Sequence, residues 1–180
     1  MGEPQPRVAV VDDHDRFVRW EDRRVVHRDR LVHRSIHVLL FDRQGRLVLQ
    51  RRKDDKLTYP SYWDLSCSGH VEEPDYLAGP DERLDIVYAG CAARELEEEL
   101  SVHAPLEDLG RFGPEPGVHY EQIALYRAKH DGPYVAQPEE VAEIRAVTPA
   151  EYDALVASGA PCTPTLLAFV KLSRARGWWR

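Results

Sequence analysis

The sequence lacks any run of about 18 apolar residues, and its N-terminal residues contain no apolar stretch typical of a signal peptide. Basic residues are also outnumbered: 24 Lys and Arg stand against 31 Asp and Glu, a net charge of −7. Because a negative surface repels phosphate backbones, we expect no nucleic-acid partner. With no apolar span, we expect no membrane partner either.

Cysteine is scarce. The three cysteines, Cys67, Cys91 and Cys162, are widely spaced and odd in number. They form neither a disulfide framework nor a Cys-x-x-Cys zinc site, and a reducing compartment suits them. We therefore expect a cytoplasmic protein. No internal repeat or long linker divides the 180 residues, which fit one domain of ordinary size.

Strands and helices alternate along the chain. Apolar runs bounded by turn residues predict strands at 8–11, 35–41, 47–49, 118–128 and 141–147, the second and third forming a hairpin. A helix is predicted at 89–100, a second begins at Thr148 and ends before Gly159, and a third begins at Thr163. Residues 71–85 read as irregular. This order predicts an α/β layered fold in which helices cover a mixed sheet.

The helix at 89–100 carries an acidic cluster. Glu95, Glu98 and Glu99 stand at i, i+3 and i+4, so their carboxylates share one helix face, while Glu97 points away. Each like-charged pair costs roughly a few tenths of a kcal/mol, a penalty that a hard divalent cation would reverse. Arg94, one turn before Glu98, is placed to hold that carboxylate. The alternative to a cation site is that these glutamates form an ordinary solvent-exposed charged face of the helix.

Residues 94–102 resemble the second half of the Nudix box, Arg-Glu-aliphatic-x-Glu-Glu-x-Gly-aliphatic, with Ser101 in place of the glycine. Residues 69–75 resemble its first half, Gly followed after five residues by Glu, with Asp75 in place of the glutamate. Eighteen residues separate Asp75 from Arg94 where the box has seven. The resemblance therefore implies an insertion within the box, at residues 74–85.

Other segments resemble the Nudix branch that includes isopentenyl diphosphate isomerase: residues 33–37, 47–52, 59–60, 63, 69–70 and 120–121. The resemblance implies a single Nudix domain over residues 1–180, an α/β/α sandwich with a mixed β-sheet, preceded by a strand and turn extension at residues 1–30. It also implies that Mg²⁺ or Mn²⁺ is ligated by Glu95, Glu98 and Glu99, with Glu121 as a further candidate. Since relatives are often dimers, it suggests a homodimer.

The activity that this resemblance implies is hydrolysis of a nucleoside diphosphate linked to another moiety, a small-molecule diphosphate substrate. Basic residues matching Arg52 and Lys56 grip the diphosphate in the isomerases, and His70 is a further candidate substrate contact. Trp63 suits stacking on a base or prenyl tail, although an aromatic residue in this position also suits packing. The water would be deprotonated by a carboxylate of the acidic helix or of a loop, such as Glu121 or Glu140.

Two departures from the isomerases favour a hydrolase. Their catalytic cysteine precedes the Gly-His pair directly, whereas this chain has Ser68 there and Cys67 one residue earlier, on the opposite face of an extended segment. A neutral hydroxyl is a poor substitute for a thiol in proton transfer to an alkene. The isomerases also have a basic residue where this chain has Glu95.

A histidine set keeps the isomerase alternative open. His33, His70 and Glu121 match positions of the isomerase metal site, His27 is one residue out of step, and His119 stands where a glutamate would. A cluster of this kind suits Zn²⁺ or Mn²⁺, although each histidine singly suits a surface or hydrogen-bonded position. The sequence thus leaves three functions open: a hydrolase, an isomerase, and a non-catalytic module that binds a diphosphate ligand.

Overall fold

The computed structural model describes residues 6–180, so residues 1–5 of the predicted N-terminal extension lie outside it. The strands are β1 (Arg7–Val11), β2 (Phe17–Asp22), β3 (His33–Phe41), β4 (Leu47–Arg52), β5 (Trp63–Asp64), β6 (Cys67–His70), β7 (Glu107–Phe112), β8 (Glu121–Lys129) and β9 (Val141–Val147). The helices are α1 (Arg23–Asp29), α2 (Leu84–Leu100), α3 (Pro149–Ala157) and α4 (Pro164–Ala175), with a short 3₁₀ turn at Glu73–Asp75. None of these described helices is long and apolar enough to cross a membrane.

Strand β3 is the centre of a mixed sheet. It pairs with β8 in parallel along its whole length, from His33 opposite Glu121 to Phe41 opposite Lys129. It also pairs antiparallel with β6, with β1 at one end and with β4 at the other. Strand β9 extends the sheet beyond β4, and β7 extends it beyond β8. The parallel pair therefore lies in the middle, where both faces are covered.

Helices cover both faces of this sheet. Alternate residues of β3 point to opposite sides. Val38 and Leu40 pack in a cluster with Tyr88 of α2, whereas Leu39 packs in a second cluster with Phe169 of α4. All five side chains are buried. The predicted α/β/α layering with a mixed sheet is confirmed.

Most predicted elements are present, and the differences have tertiary causes. The helix expected at 89–100 begins earlier, at Leu84, because burial of Val87 and Tyr88 outweighs the weak helix propensity of branched and aromatic residues. The sequence does not predict strands β2, β5, β6 and β7 or helix α1. Strands β2 and β7 are half exposed and lack an apolar alternation, and β5 and β6 are only two and four residues long. The capping box of Thr148 and Glu151 at the start of α3 is confirmed.

Helix α2 ends at a strained residue, and this generates a prediction. Ser101 has φ 55° and ψ 42°, the left-handed conformation that favours glycine, the residue that the Nudix box has there. We expect Ser101→Gly to raise the free energy of unfolding by about 0.5–1 kcal/mol, measured by chemical denaturation. Ser158→Gly is the matched control: Ser158 ends α3 with φ −71°, so glycine there should destabilise the protein. Equal effects of the two substitutions would contradict the assignment of strain to Ser101.

Candidate active site

Three glutamates of α2 line a cleft of about 660 Å³. Glu98 is exposed, Glu95 is half-buried and Glu99 is buried. The spacing that places them on one helix face in the sequence therefore brings all three to one cavity. A cavity of this volume lies within the range of small-molecule sites.

The Arg94 guanidinium joins the two halves of the box. It donates two parallel hydrogen bonds to the carboxylate of Asp75, of 3.0 and 2.9 Å. Its remaining nitrogen, Nη1, donates to Glu95 at 2.9 Å and to Glu98 at 3.0 Å. One cation thus holds three carboxylates in fixed positions, since a guanidinium presents its donors in a rigid planar fork. Asp75 keeps this contact although the segment between it and Arg94 is extended.

The environments of Glu99 and Glu95 favour a bound cation. Glu99 accepts a 3.0 Å hydrogen bond from Gln50 Nε2 in the interior. Burial, with the Glu95 charge added to it, raises the pKa of Glu99 to about 8. Burial likewise raises the pKa of Glu95 to about 7, against the opposing effect of Arg94. One guanidinium does not balance the charge of these desolvated carboxylates, and a hard divalent ion with oxygen ligands would supply further positive charge.

Gly69 makes room for one of these carboxylates. A Cβ atom at this position would lie 2.1 Å from Cδ of Glu95, so no other residue fits without displacing the glutamate. The glycine of the first half of the box therefore leaves the space that the Glu95 side chain of the second half occupies. The donor set and this space fit Mg²⁺ or Mn²⁺ at these carboxylates of the cleft.

A second donor group lies elsewhere in the same cleft. His27, His33 and His70 each offer a ligand atom, and these atoms lie within 4.8 Å of one another. The rings of His33 and His70 stack 5.0 Å apart, and His27 meets His70 edge-on at 4.9 Å. An oxygen of Glu121 lies 3.5 Å from Nε2 of His33. The parallel pairing of β3 with β8 sets His33 opposite Glu121.

The protonation of these groups suits metal binding. Burial lowers the pKa of His27 to about 4, with the charge of His33 adding to the effect, and burial lowers the pKa of His70 well below its usual value. Neutral imidazoles are the form that ligates metals. Within residues 6–180, Nε2 of His33 and both ring nitrogens of His70 make no hydrogen bond although they are buried. Such atoms are costly unless something binds them.

Two other groups border the histidines. Burial opposes ionisation of Glu121, but its contacts with His33 and His37 hold its pKa well below the usual value. His119 also lines the cleft, but its ring stacks on Phe169 at 6.3 Å, and it is not part of the group of three. The predicted set of four histidines is therefore brought together only in part.

The residues predicted to bind the substrate do not all lie in the cleft. Arg52 lines the cleft and donates to the carbonyl of Thr58 at 3.1 Å. Lys56 pairs with the carboxylate of Glu140, and Lys56 is not among the described residues that line the cleft. Trp63 is 4% exposed and packs in the cluster under α3 and α4, so its placement corrects the expectation that it reaches a substrate.

Two arginines that sequence reasoning missed line the cleft, one from α1 and one from the residue that caps its C-terminus. Arg23 and Arg30 both belong to the lining. They went unnoticed because α1 was not predicted. The available signal was Asp22, whose side chain accepts from the amide of Arg24 and caps the helix, together with the i, i+4 spacing that puts Arg23 and His27 on one face.

Strand β6 separates the serine from the cysteine as its alternation predicts. Ser68 lines the cleft, whereas Cys67 is fully buried in the cluster that includes α2. Burial raises the pKa of the Cys67 thiol well above its usual value. A thiol in this state is unreactive, so no cysteine takes the catalytic position of the isomerases in this cleft.

Comparisons with known proteins agree with this geometry. A family model described as the NUDIX domain matches residues 31–166. An uncharacterized Nudix hydrolase of Pseudomonas aeruginosa is 39% identical over 144 residues, 79% of this chain and 78% of its own length. An isopentenyl-diphosphate Delta-isomerase of Nocardia farcinica is 33% identical over 180 residues, 93% of this chain and 94% of its own.

The fold also has a solved counterpart. DR0079 from Deinococcus radiodurans superposes with a TM-score of 0.75 at 23% identity, covering 92% of this chain and 97% of its own. At that identity the likeness shows the fold, which is the predicted Nudix-like one. The family model and the two relatives cover most of the sequence, including both halves of the box. The chain therefore belongs to the Nudix family.

Proposed function

We propose that this protein is a divalent-metal-dependent hydrolase that cleaves the diphosphate linkage of a nucleoside diphosphate derivative. The observation that supports it most is the arrangement around Arg94, which holds Glu95 and Glu98 at the wall of a cleft that also takes in Glu99. A divalent cation bound in the cleft would offset the repulsion within such a cluster of carboxylates, and it would at the same time bind the phosphate oxygens of a ligand.

Glu95, Glu98 and Glu99 would hold Mg²⁺ or Mn²⁺, with Glu121 as a further candidate ligand. When bound, such an ion neutralises the charge that develops on phosphoryl oxygens. The role of Arg94 is to fix two of these carboxylates before the ion arrives, so that little reorganisation accompanies binding.

Cationic side chains of the cleft would bind the diphosphate. Arg52 enters from β4 and Arg23 from α1, and a guanidinium recognises phosphate oxygens with two donors at once. Lys56 pairs with Glu140, which lines the cleft, and would contact the diphosphate from that position. His70, which belongs to the histidine group and lines the cleft from β6, would contact the ligand from that side.

A carboxylate of the cleft would accept the proton of the attacking water. The lining includes each candidate expected from the sequence, Glu95, Glu98, Glu99, Glu121 and Glu140. Glu98 is the most exposed of the three on α2. It is therefore the one that water reaches without displacing packed side chains.

A second candidate function is isomerisation of a prenyl diphosphate. The group formed by His27, His33 and His70 favours it, as does the likeness over most of the chain to a relative named as an isomerase. Ser68 in the cleft and Cys67 in the core oppose it, because proton transfer to an alkene needs a stronger acid than a hydroxyl. A binding module without catalysis is the third alternative.

The metal role of α2 can be tested by charge removal. We expect Glu98→Gln and Glu99→Gln to lower Mg²⁺-dependent release of nucleotide or phosphate by at least about 100-fold, the loss typical of removing one electrostatic stabiliser. Turnover would be measured on a panel of nucleoside diphosphate derivatives, with product mass as the readout.

Glu97→Gln is the matched control for this experiment. Glu97 lies on the same helix but is exposed and pairs with His103 at 3.4 Å, away from the cleft. Its substitution should leave turnover unchanged. Wild-type turnover in the Glu98 and Glu99 variants, or a loss in the Glu97 variant equal to theirs, would contradict the assignment.

The isomerase alternative has a direct test. Incubation of the protein with isopentenyl diphosphate and Mg²⁺ or Mn²⁺, followed by NMR, should show no dimethylallyl diphosphate, because Ser68 replaces the acidic thiol. Conversion at catalytic rates would overturn the hydrolase in favour of the isomerase. The Ser68→Cys variant, which restores a thiol in the cleft, is the informative comparison.

The histidine group can be tested with a coloured ion. We expect Co²⁺ to bind with visible absorption typical of imidazole ligation, and His70→Asn to abolish that absorption. Glu98→Gln should retain it, since Glu98 is not part of the group. Unchanged spectra in His70→Asn would show that the histidines do not ligate the ion.

A further inference from the structure

Arg34 of β3 is fully buried and unusually well bound. Its guanidinium donates to Asp15 Oδ1 at 2.6 Å, to the Asp15 carbonyl at 2.6 Å and to Asp81 Oδ1 at 2.8 Å. It also donates to Tyr76 Oη at 3.2 Å and to the carbonyl of Pro80. The guanidinium is buried, whereas the side chains of Asp15 and Asp81 are 25% and 50% exposed. This number of charge-assisted bonds to a buried cation fixes one arrangement of the groups that share it.

The partners of Arg34 come from two segments that are far apart in the sequence. Asp15 belongs to the turn between β1 and β2, and it adopts a left-handed φ of 59° to make these contacts. Tyr76, Pro80 and Asp81 belong to the insertion at 74–85. One buried cation thus ties the insertion to the N-terminal hairpin. The amide of Phe17 in that hairpin adds a 2.9 Å bond to Asp81.

This network touches α2 at two points. Tyr88 of α2 donates its hydroxyl to Asp15 Oδ2 at 3.1 Å. Tyr88 precedes Glu95 by seven residues, two helical turns, so the two side chains lie on nearly the same face. The second point is reached along the chain: Asp75 directly precedes Tyr76, and its carboxylate holds Arg94, which in turn holds Glu95 and Glu98.

We propose that Arg34, Asp15, Asp81 and Tyr88, here called the Arg34 clamp, are positioning residues that set the place of the α2 carboxylates in the cleft. The inference rests on the proposed function, because it concerns the cation and the reaction that those carboxylates serve. The clamp acts through Tyr88 directly and through the insertion, Asp75 and Arg94 indirectly.

A neighbouring ion pair just before the insertion does not carry this role. Arg7 pairs with Glu73 at 2.7 Å, but both members of the pair are open to solvent, with side chains 54% and 39% exposed, and such pairs contribute little. The clamp differs because its cation has no access to water, so its partners cannot move apart without leaving a buried charge unpaired.

Two mild substitutions test the clamp. Tyr88→Phe removes only the hydroxyl bound to Asp15, and Asp81→Asn removes only one charge from Arg34. We expect each to weaken Mn²⁺ binding, titrated by electron paramagnetic resonance, by about tenfold, the lower end of the range for residues that orient metal ligands. With Mg²⁺ saturating, kcat should fall while KM for the substrate stays within about twofold, because binding groups such as Arg52 are untouched.

A third measurement tests the clamp without metal or substrate. Hydrogen exchange of the amides of α2, on the metal-free protein, should be faster in both variants than in the wild type. The controls are Tyr152→Phe, a buried tyrosine packed against Trp179 in the opposite layer, and Arg7→Gln. Neither control should change exchange in α2 or Mn²⁺ affinity, even where Tyr152→Phe lowers the melting temperature.

The outcomes separate the clamp from the proposed function. Wild-type Mn²⁺ affinity and wild-type exchange of α2 in both clamp variants would overturn the clamp, whatever their melting temperatures. A wild-type protein that binds Mn²⁺ without hydrolysing any diphosphate would overturn the proposed function, while the Mn²⁺ and exchange measurements would still decide on the clamp. A wild-type protein that binds no Mn²⁺ would overturn both.

Discussion

The structure depends on keeping several carboxylates together in a partly dry cleft. Unit charges of one sign repel strongly when water is excluded, and burial alone already favours the protonated form of Glu95 and Glu99. The Arg94 guanidinium relieves part of this repulsion by bonding to Glu95, Glu98 and Asp75 at once. Arg94 offsets only part of this negative charge, and the remaining repulsion is the physical argument for the proposed cation site at these carboxylates.

The cleft contains two donor groups of different chemistry. The carboxylate oxygens of α2 suit a hard ion such as Mg²⁺, whereas the neutral imidazoles of His27, His33 and His70 suit Zn²⁺ or Mn²⁺. Both groups belong to one cavity, and β6 contributes to both, through Gly69 against Glu95 and through His70 in the histidine group. The proposed hydrolase and its isomerase alternative thus draw on donor groups of the same cleft, and Ser68 and Glu95 are the two residues that favour the hydrolase.

The parts of the site that were predictable from the sequence are those set by local geometry. The spacing of Glu95, Glu98 and Glu99 decides their common face once a helix forms, and β-strand alternation decides that Ser68 and Cys67 point apart. Lys56 and Trp63 were not predictable, because their surroundings come from distant segments. Glu140, which holds Lys56, lies 84 residues away, and the cluster that buries Trp63 includes α4.

The insertion shows why the spacing of a motif is a weaker constraint than its geometry. Extra residues between two contacting groups cost little entropy, since the cost of closing a loop grows only with the logarithm of its length. The site requires that Asp75 contact Arg94. Asp75 directly precedes residues 76–83, so the extra residues follow the contact in the chain and do not separate the two side chains. A longer loop must still be held in one place to keep Asp75 aligned. The buried Arg34 supplies that restraint from the central strand, so the contact between the two halves is preserved although their separation in the sequence is not.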